Sequence, residues 1–290
     1  MARIRHNRIF VLVSVLLAAS FVSAQKTEFV TLPRQTIEER LRLAPRKDSD
    51  RQALIKKLLL DAGCAPELLR EEKVGSAANV ICVLPGESEG EIVVGAHFDH
   101  INKGDGVVDN WTGASLLPSL LEALRQQPRR HTYVFVAFAQ EEKGLVGSRR
   151  YVERLNYSDK MRVEAMVNMD TLGLSPTKMW LTQADKKLAS ALAAVAAAMK
   201  LPCTVMNVDG AGTSDSEPFK NAGIPSITIH SATPETMPIL HTPKDKLSAV
   251  NLDDYYDSYR LISAYMAYLD QVVEPRPPGA IPTLGPSKAK

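Results

Sequence analysis

Surplus charge is the first thing missing from this 290-residue sequence: 35 lysines and arginines stand against 33 aspartates and glutamates. No stretch combines clustered basic residues with interleaved aromatics, so no nucleic-acid partner is expected. Cysteine occurs three times, at Cys64, Cys82 and Cys203. That allows one disulfide in any of three pairings, Cys64 with Cys82 among them, or buried unpaired thiols, since Cys82 sits in an apolar run where a small hydrophobe belongs. There is no His-Glu-x-x-His and no Gly-x-Ser-x-Gly, which excludes the single-zinc helix protease and the serine hydrolase elbow. Gly104 and Gly106 begin like a dinucleotide fingerprint, but Asp109 stands where its third glycine belongs. No internal repeat is present.

Long apolar runs are scarce too, with one exception at the start. Arg3, Arg5 and Arg8 precede the run Ile9 to Val22, which closes in Val22-Ser23-Ala24. A basic start, an apolar stretch too short to span a bilayer comfortably and small terminal residues predict a secretory signal peptide over residues 1–24. An uncleaved anchor is the alternative. The expected mature protein begins near Gln25, is nearly neutral, is secreted or periplasmic, and keeps no stable membrane anchor after signal cleavage. Residues 25–273 are expected to form a single domain. Residues 274–290, with five prolines in seventeen positions and no apolar period, are expected to be a flexible tail.

Within the domain, helical patterns at Ile37–Leu43 and Ser49–Ala62 precede an alternation of apolar runs and amphipathic segments. Strands are predicted at Asn79–Leu84, Glu91–Ala96, Thr132–Ala139, Val163–Met169 and Pro225–His230. Helices are predicted at Thr112–Arg125, Leu145–Leu155, Asp185–Met199 and Leu252–Val272. Strands apolar on both faces and separated by helices imply an α/β class, a three-layer α/β/α sandwich around a mostly parallel sheet.

Ligand sites in such sheets form beyond the carboxyl ends of strands. The residues there are His97-Phe98-Asp99, Gln140-Glu141-Glu142 and Asp170, joined by Asp109 before a helix and His241 after the last buried strand. Imidazole and carboxylate together suit zinc. Two histidines and three carboxylates can hold two metals if one carboxylate bridges, and the Glu141-Glu142 pair offers one ligand plus one free base. Asp99 is placed to accept the second ring N–H of His97. Taken singly, an Asp before a helix is more often an N-cap and adjacent glutamates a solvated face. Their joint occurrence at strand ends outweighs those readings, because clustered buried carboxylates need cations. His131 is expected to start a strand at the surface, His230 to end one near the cleft and His100 to line the entrance, none of them holding metal.

The set Gly95-Ala96-His97-Phe98-Asp99, Asp109-Asn110 with Gly113-Ala114, Glu141-Glu142-x-Gly144-x-x-Gly147-Ser148, Asn168-Met169-Asp170, Ser214-Asp215 and His241-Thr242-Pro243-x-Asp245 resembles the zinc aminopeptidases of metallopeptidase family 28. The match covers roughly Asn79 to Val272. The resemblance implies a zinc-peptidase (phosphorylase/hydrolase-like) fold with two Zn2+ and peptide substrates. It also implies that His97 and Asp170 hold one zinc, Glu142 and His241 the other, that Asp109 bridges, and that Glu141 is the general base. Two positions depart from many relatives: Ser216 stands in place of a histidine and Leu240 in place of a tyrosine. A glutaminyl-cyclase-like acyltransferase, a carboxypeptidase or dipeptidase on the same core, and a silent binding module are the competing expectations.

Overall fold

The computed structural model describes residues 27–277 and 279, apart from residue 211. The expected signal peptide, and all of the proline-rich tail beyond 277 except 279, lie outside the described residues. Eight strands form one sheet: β1 (Leu69–Val74), β2 (Ala77–Leu84), β3 (Glu91–His97), β4 (Thr132–Phe138), β5 (Val163–Met169), β6 (Lys178–Met179), β7 (Thr204–Val205) and β8 (Ser226–His230). Their spatial order is β1-β2-β4-β3-β5-β8-β6-β7. The middle four, β4, β3, β5 and β8, run parallel, while β2 and β1 on one side and β6 on the other pair antiparallel.

Side-chain alternation explains why the central runs read as continuously apolar. Ile92 and Val94 of β3, with Tyr133, Phe135 and Ala137 of β4, point into one core; Val93, Val134, Val136 and Phe138 point into the other. The first core is covered by α1 (Arg34–Arg42), α2 (Asp48–Asp61), α3 (Thr112–Ala114) with α4 (Leu116–Leu124), α7 (Lys186–Met199) and α9 (Leu252–Val272). The second is covered by α5 (Val146–Arg154) and the short α8 (Ser216–Asn221), while α6 (Tyr157–Arg162) leads into β5. The expected three-layer α/β/α architecture is thus the one observed, with antiparallel margins on a parallel centre. Cys64 and Cys82 form a disulfide that joins the end of α2 to β2 across 6.2 Å between Cα atoms. No helix among the described residues is long and apolar enough to cross a membrane.

Three strands escape the periodicity argument. β1, with the sequence Leu-Arg-Glu-Glu-Lys-Val, is a charged edge, as expected of a strand that must not template aggregation. β6 and β7 have two residues each, too few to show a period.

His131 corrects an expectation. It stands immediately before β4 rather than within it, and it is 1% exposed rather than at the surface. Its Nε2 lies 2.8 Å from Glu164 and its Nδ1 3.3 Å from Asp270, whose oxygens also accept the backbone N–H groups of Arg130 and His131. Two carboxylates can enter the core here because a charged imidazole joins them. Burial alone would lower the ring's pKa, but Asp270 and Glu164 outweigh it and raise it to about 9. A raised pKa makes the contribution to stability complete below about pH 6.5 and lost as pH rises through about 9. His131→Ala should therefore cost about 3–5 kcal/mol at pH 6, measured by denaturant unfolding. The gap to the unsubstituted protein should narrow by pH 10; an equal gap at both pH values would contradict the charged ring.

Candidate active site

Beyond the C-terminal ends of the parallel strands lies a cavity of about 370 Å³. Its polar floor is His97 from β3, Asp170 after β5, Glu141 and Glu142 after β4, Asp109 from the irregular turn Val107–Trp111, and His241 from the loop before α9. These are the residues the strand-end argument selected, and the fold brings them together. His97 Nε2 is 3.3 Å from Asp109 and 3.8 Å from Asp170; His241 Nε2 is 3.0 Å from Asp109 and 3.1 Å from Glu142. Two groups emerge, His97-Asp109-Asp170 and Asp109-Glu142-His241, each with ligand atoms within 4.8 Å of one another. Asp109 belongs to both and offers a different oxygen to each histidine. Glu141 belongs to neither.

The electrostatics follow from packing acids side by side in a largely buried site. Burial, with Asp215, Asp170 and Asp109 outweighing the opposing pull of His97, pushes Glu141 up to about 10. Burial and then Asp109 push Glu142 up to about 7. Asp109 goes the other way: burial would raise it, but the hydrogen bonds from His241 and His97 hold it below the usual carboxylate range. His241 is raised to about 9, first by Asp109 and against burial. One oxygen of Glu142 is buried with no hydrogen-bond partner. An orphaned carboxylate oxygen, acids driven toward protonation and a mixed imidazole–carboxylate donor set together fit divalent zinc, whose charge would ionise the acids and use the free lone pair.

Several residues hold these groups in place without belonging to them. The Asp245 carboxylate accepts the backbone N–H of Val108 (2.7 Å) and of Asp109 (3.3 Å). Asn110 donates to the Met169 carbonyl and accepts from the N–H of Gly113 and Thr171, tying the Asp109 turn to the end of β5. Arg51 from α2 is fully buried; it donates to the carbonyls of Phe98, Asp105 and Gly106 and lies over the Trp111 ring. No local motif flags Arg51, because apart from the Pro45 carbonyl its partners are the carbonyls of Phe98, Asp105 and Gly106, far along the chain. Asp245 stood in the motif set without a role.

Two expectations need correction. His97 Nδ1 meets the backbone carbonyl of Asp99 at 3.1 Å, while the Asp99 carboxylate lies 3.8 Å away. That carboxylate instead accepts the N–H groups of Glu141 (3.0 Å) and Glu142 (3.3 Å). A residue two places after the histidine brings its carbonyl back over the ring and sends its side chain across to the neighbouring strand end. His100, expected at the entrance, lies outside the cavity lining and pairs with Asp48 at 2.8 Å. His230 does line the cavity, as expected, and its Nε2 lies 2.9 Å from the Met206 carbonyl. Ser216 is buried outside the cavity lining, bonded to Thr228, and Leu240 joins Trp180, Val208 and Met237 in an apolar wall. Asp215 is wholly buried, with both oxygens unpartnered.

Residues 79–266 match the family described as Peptidase family M28. The chain is 29% identical over 180 residues to Aminopeptidase YwaD of Bacillus subtilis, covering 60% of this chain and 40% of that one. The solved zinc aminopeptidase BSAP from Bacillus subtilis superposes with a TM-score of 0.60 at 26% identity, over 66% of this chain and 49% of that one. A glutaminyl cyclase from an Acidobacteriales bacterium shares the fold, with a TM-score of 0.72 at 17% identity over 86% of this chain and 98% of that one. The chain spans less than two thirds of the length of the curated relatives it matches.

Removing the Asp245 carboxylate leaves two backbone N–H groups without an acceptor and frees the turn that carries Asp109, the residue common to both groups. Asp245→Ala should weaken zinc binding about 10–100-fold, read by competition with a chromogenic chelator. Affinity equal to that of the unsubstituted protein would contradict this role.

Proposed function

The chain belongs to peptidase family M28, and from that premise we propose that it is a zinc-dependent aminopeptidase that hydrolyses N-terminal residues of peptides. The observation that carries the proposal is the pair of three-residue ligand groups sharing Asp109, with Glu141 beside them and in neither. In this reading His97 and Asp170 hold one zinc, Glu142 and His241 the other, and Asp109 both. Bound there, the two ions supply Lewis-acid polarisation of the scissile carbonyl and a water acidified to near neutrality.

The remaining work falls to the chain's own residues. Positive charge beside Glu141 lowers its raised pKa and leaves a carboxylate able to take the proton of the attacking water. Glu141 then returns that proton to the leaving amine. Asp99 holds the backbone N–H groups of Glu141 and Glu142 together, so base and ligand keep a fixed relation. Among the described residues the cavity lining contains aspartate, glutamate and histidine but no lysine or arginine. A free N-terminal ammonium suits such a lining, whereas a C-terminal carboxylate would find no lysine or arginine among the lining's described residues to pair with, which favours an aminopeptidase over a carboxypeptidase. The wall of Trp180, Val208, Met237 and Leu240 supports apolar N-terminal side chains. The His97-Asp170 group favours two metals and hydrolysis over a cyclase working with one.

Export is part of the proposal. It rests on the basic and apolar pattern of residues 1–24, and the Cys64–Cys82 disulfide is consistent with an oxidising compartment.

The test is hydrolysis of matched free and N-acetylated amino-acid anilides by the zinc-loaded protein. Only the free amines should be cleaved, apolar ones fastest. Glu141→Ala should lose about a hundredfold to ten-thousandfold in kcat while retaining its zinc. Cleavage of the acetylated set, or full turnover by the variant, would overturn the reading.

A further inference from the structure

A second hollow, of about 690 Å³, adjoins the cavity and is lined by Lys73, Lys143, Arg149, Arg150 and Arg154 with Glu153 as its one acid. Arg150 is paired to Glu153 at 3.6 Å and Arg154 to Glu72 at 2.5 Å. Lys73, Lys143 and Arg149 are exposed and have no ion-pair partner among the described residues. A basic groove of this kind is invisible in the sequence, because Lys73 lies near the end of β1 while the others follow β4.

Gly144 lines both hollows. A Cβ placed there would meet nothing within 4 Å, so no side chain crowds the position the two hollows share. The sheet order fixes their relation. The apolar wall comes from segments that follow β6, β7 and β8 at one margin of the sheet, His97 and Asp170 lie at the ends of β3 and β5, Glu141, Glu142 and Gly144 follow β4, and Lys73 lies near the end of β1 at the opposite margin. A peptide whose first side chain sits against the apolar wall, with its scissile bond at the ligand groups, therefore continues over Gly144 into the basic groove.

We propose, resting on the aminopeptidase reading, that this groove is a binding site for the downstream part of the substrate and selects peptides bearing aspartate or glutamate a few residues after the scissile bond. The acidic floor of the cavity would attract an ammonium while the groove attracts carboxylates, so the two hollows together read a peptide's polarity. Nucleic acid is the poorer occupant, because no aromatic side chain lines the groove for a base to stack on.

The experiment compares C-terminally amidated hexapeptides that begin Leu-Ala and carry three glutamates, three serines or three lysines at positions three to five. A leucine anilide, which has no downstream residues, is run on the same preparations. In the unsubstituted protein at low ionic strength, kcat/KM for the glutamate peptide should exceed that for the lysine peptide about tenfold, as two or three exposed ion pairs would give. Salt should shrink the ratio. In the double variant Lys73→Glu, Arg149→Glu the ratio, taken within that one protein, should fall to unity or invert. If the anilide is cleaved but the three peptides react alike, the inference is overturned and the aminopeptidase reading stands. A preference that survives in the double variant overturns the groove as its source. If neither the anilide nor any peptide is cleaved, the aminopeptidase reading fails and the inference falls with it.

Discussion

Carboxylates repel one another, and burial makes that repulsion worse. Asp109, Glu141, Glu142 and Asp170 nevertheless share one cavity, above the wholly buried Asp215. Two histidines alone do not balance them, as the high pKa values of Glu141 and Glu142 indicate. Much of the surrounding structure keeps these groups in place: Asp245 grips the backbone at Asp109, Asn110 ties the same turn to β5, and Asp99 grips the backbone at Glu141 and Glu142. Arg51 contributes by burying a cation among the carbonyls of the 98–106 loop, which orients that loop and adds positive charge beneath an acidic cleft.

Much of this was legible in the sequence because a parallel sheet imposes a simple rule. A strand buried on both faces writes itself as an apolar run, and the residue that ends the run is the one that meets the ligand. His97, Glu142 and Asp170 could be picked out for that reason. Asp109 and His241 lie on loops, where the family resemblance supplied their roles. Arg51, the role of Asp245 and the true partners of Asp99 were not legible, since a backbone carbonyl or N–H carries no identity in the sequence. His131 misled for a related reason: a polar residue at a strand's start looks exposed until Glu164 and Asp270, from β5 and α9, are seen to enclose it. β1 was missed because an exposed edge is protected by charge and so loses the apolar signature.

The fold by itself does not choose between hydrolase and cyclase, since solved examples of both superpose on it. The choice rests on a second ligand group, His97 with Asp170, and on a shared carboxylate that faces both histidines. The proposed direction of the cleft, from an apolar wall for the first residue to a charged surface for the later ones, rests on a cavity lining without lysine or arginine among the described residues and on the basic groove beside Gly144.

The central claim is that Asp109 joins two cation sites into one. Titrating the metal-free protein with zinc while counting bound equivalents, by calorimetry together with elemental analysis, addresses it directly. Two equivalents per chain, with protons released as the raised carboxylates and histidines ionise or lose their protons, is the result the account predicts. Saturation at a single equivalent would contradict it.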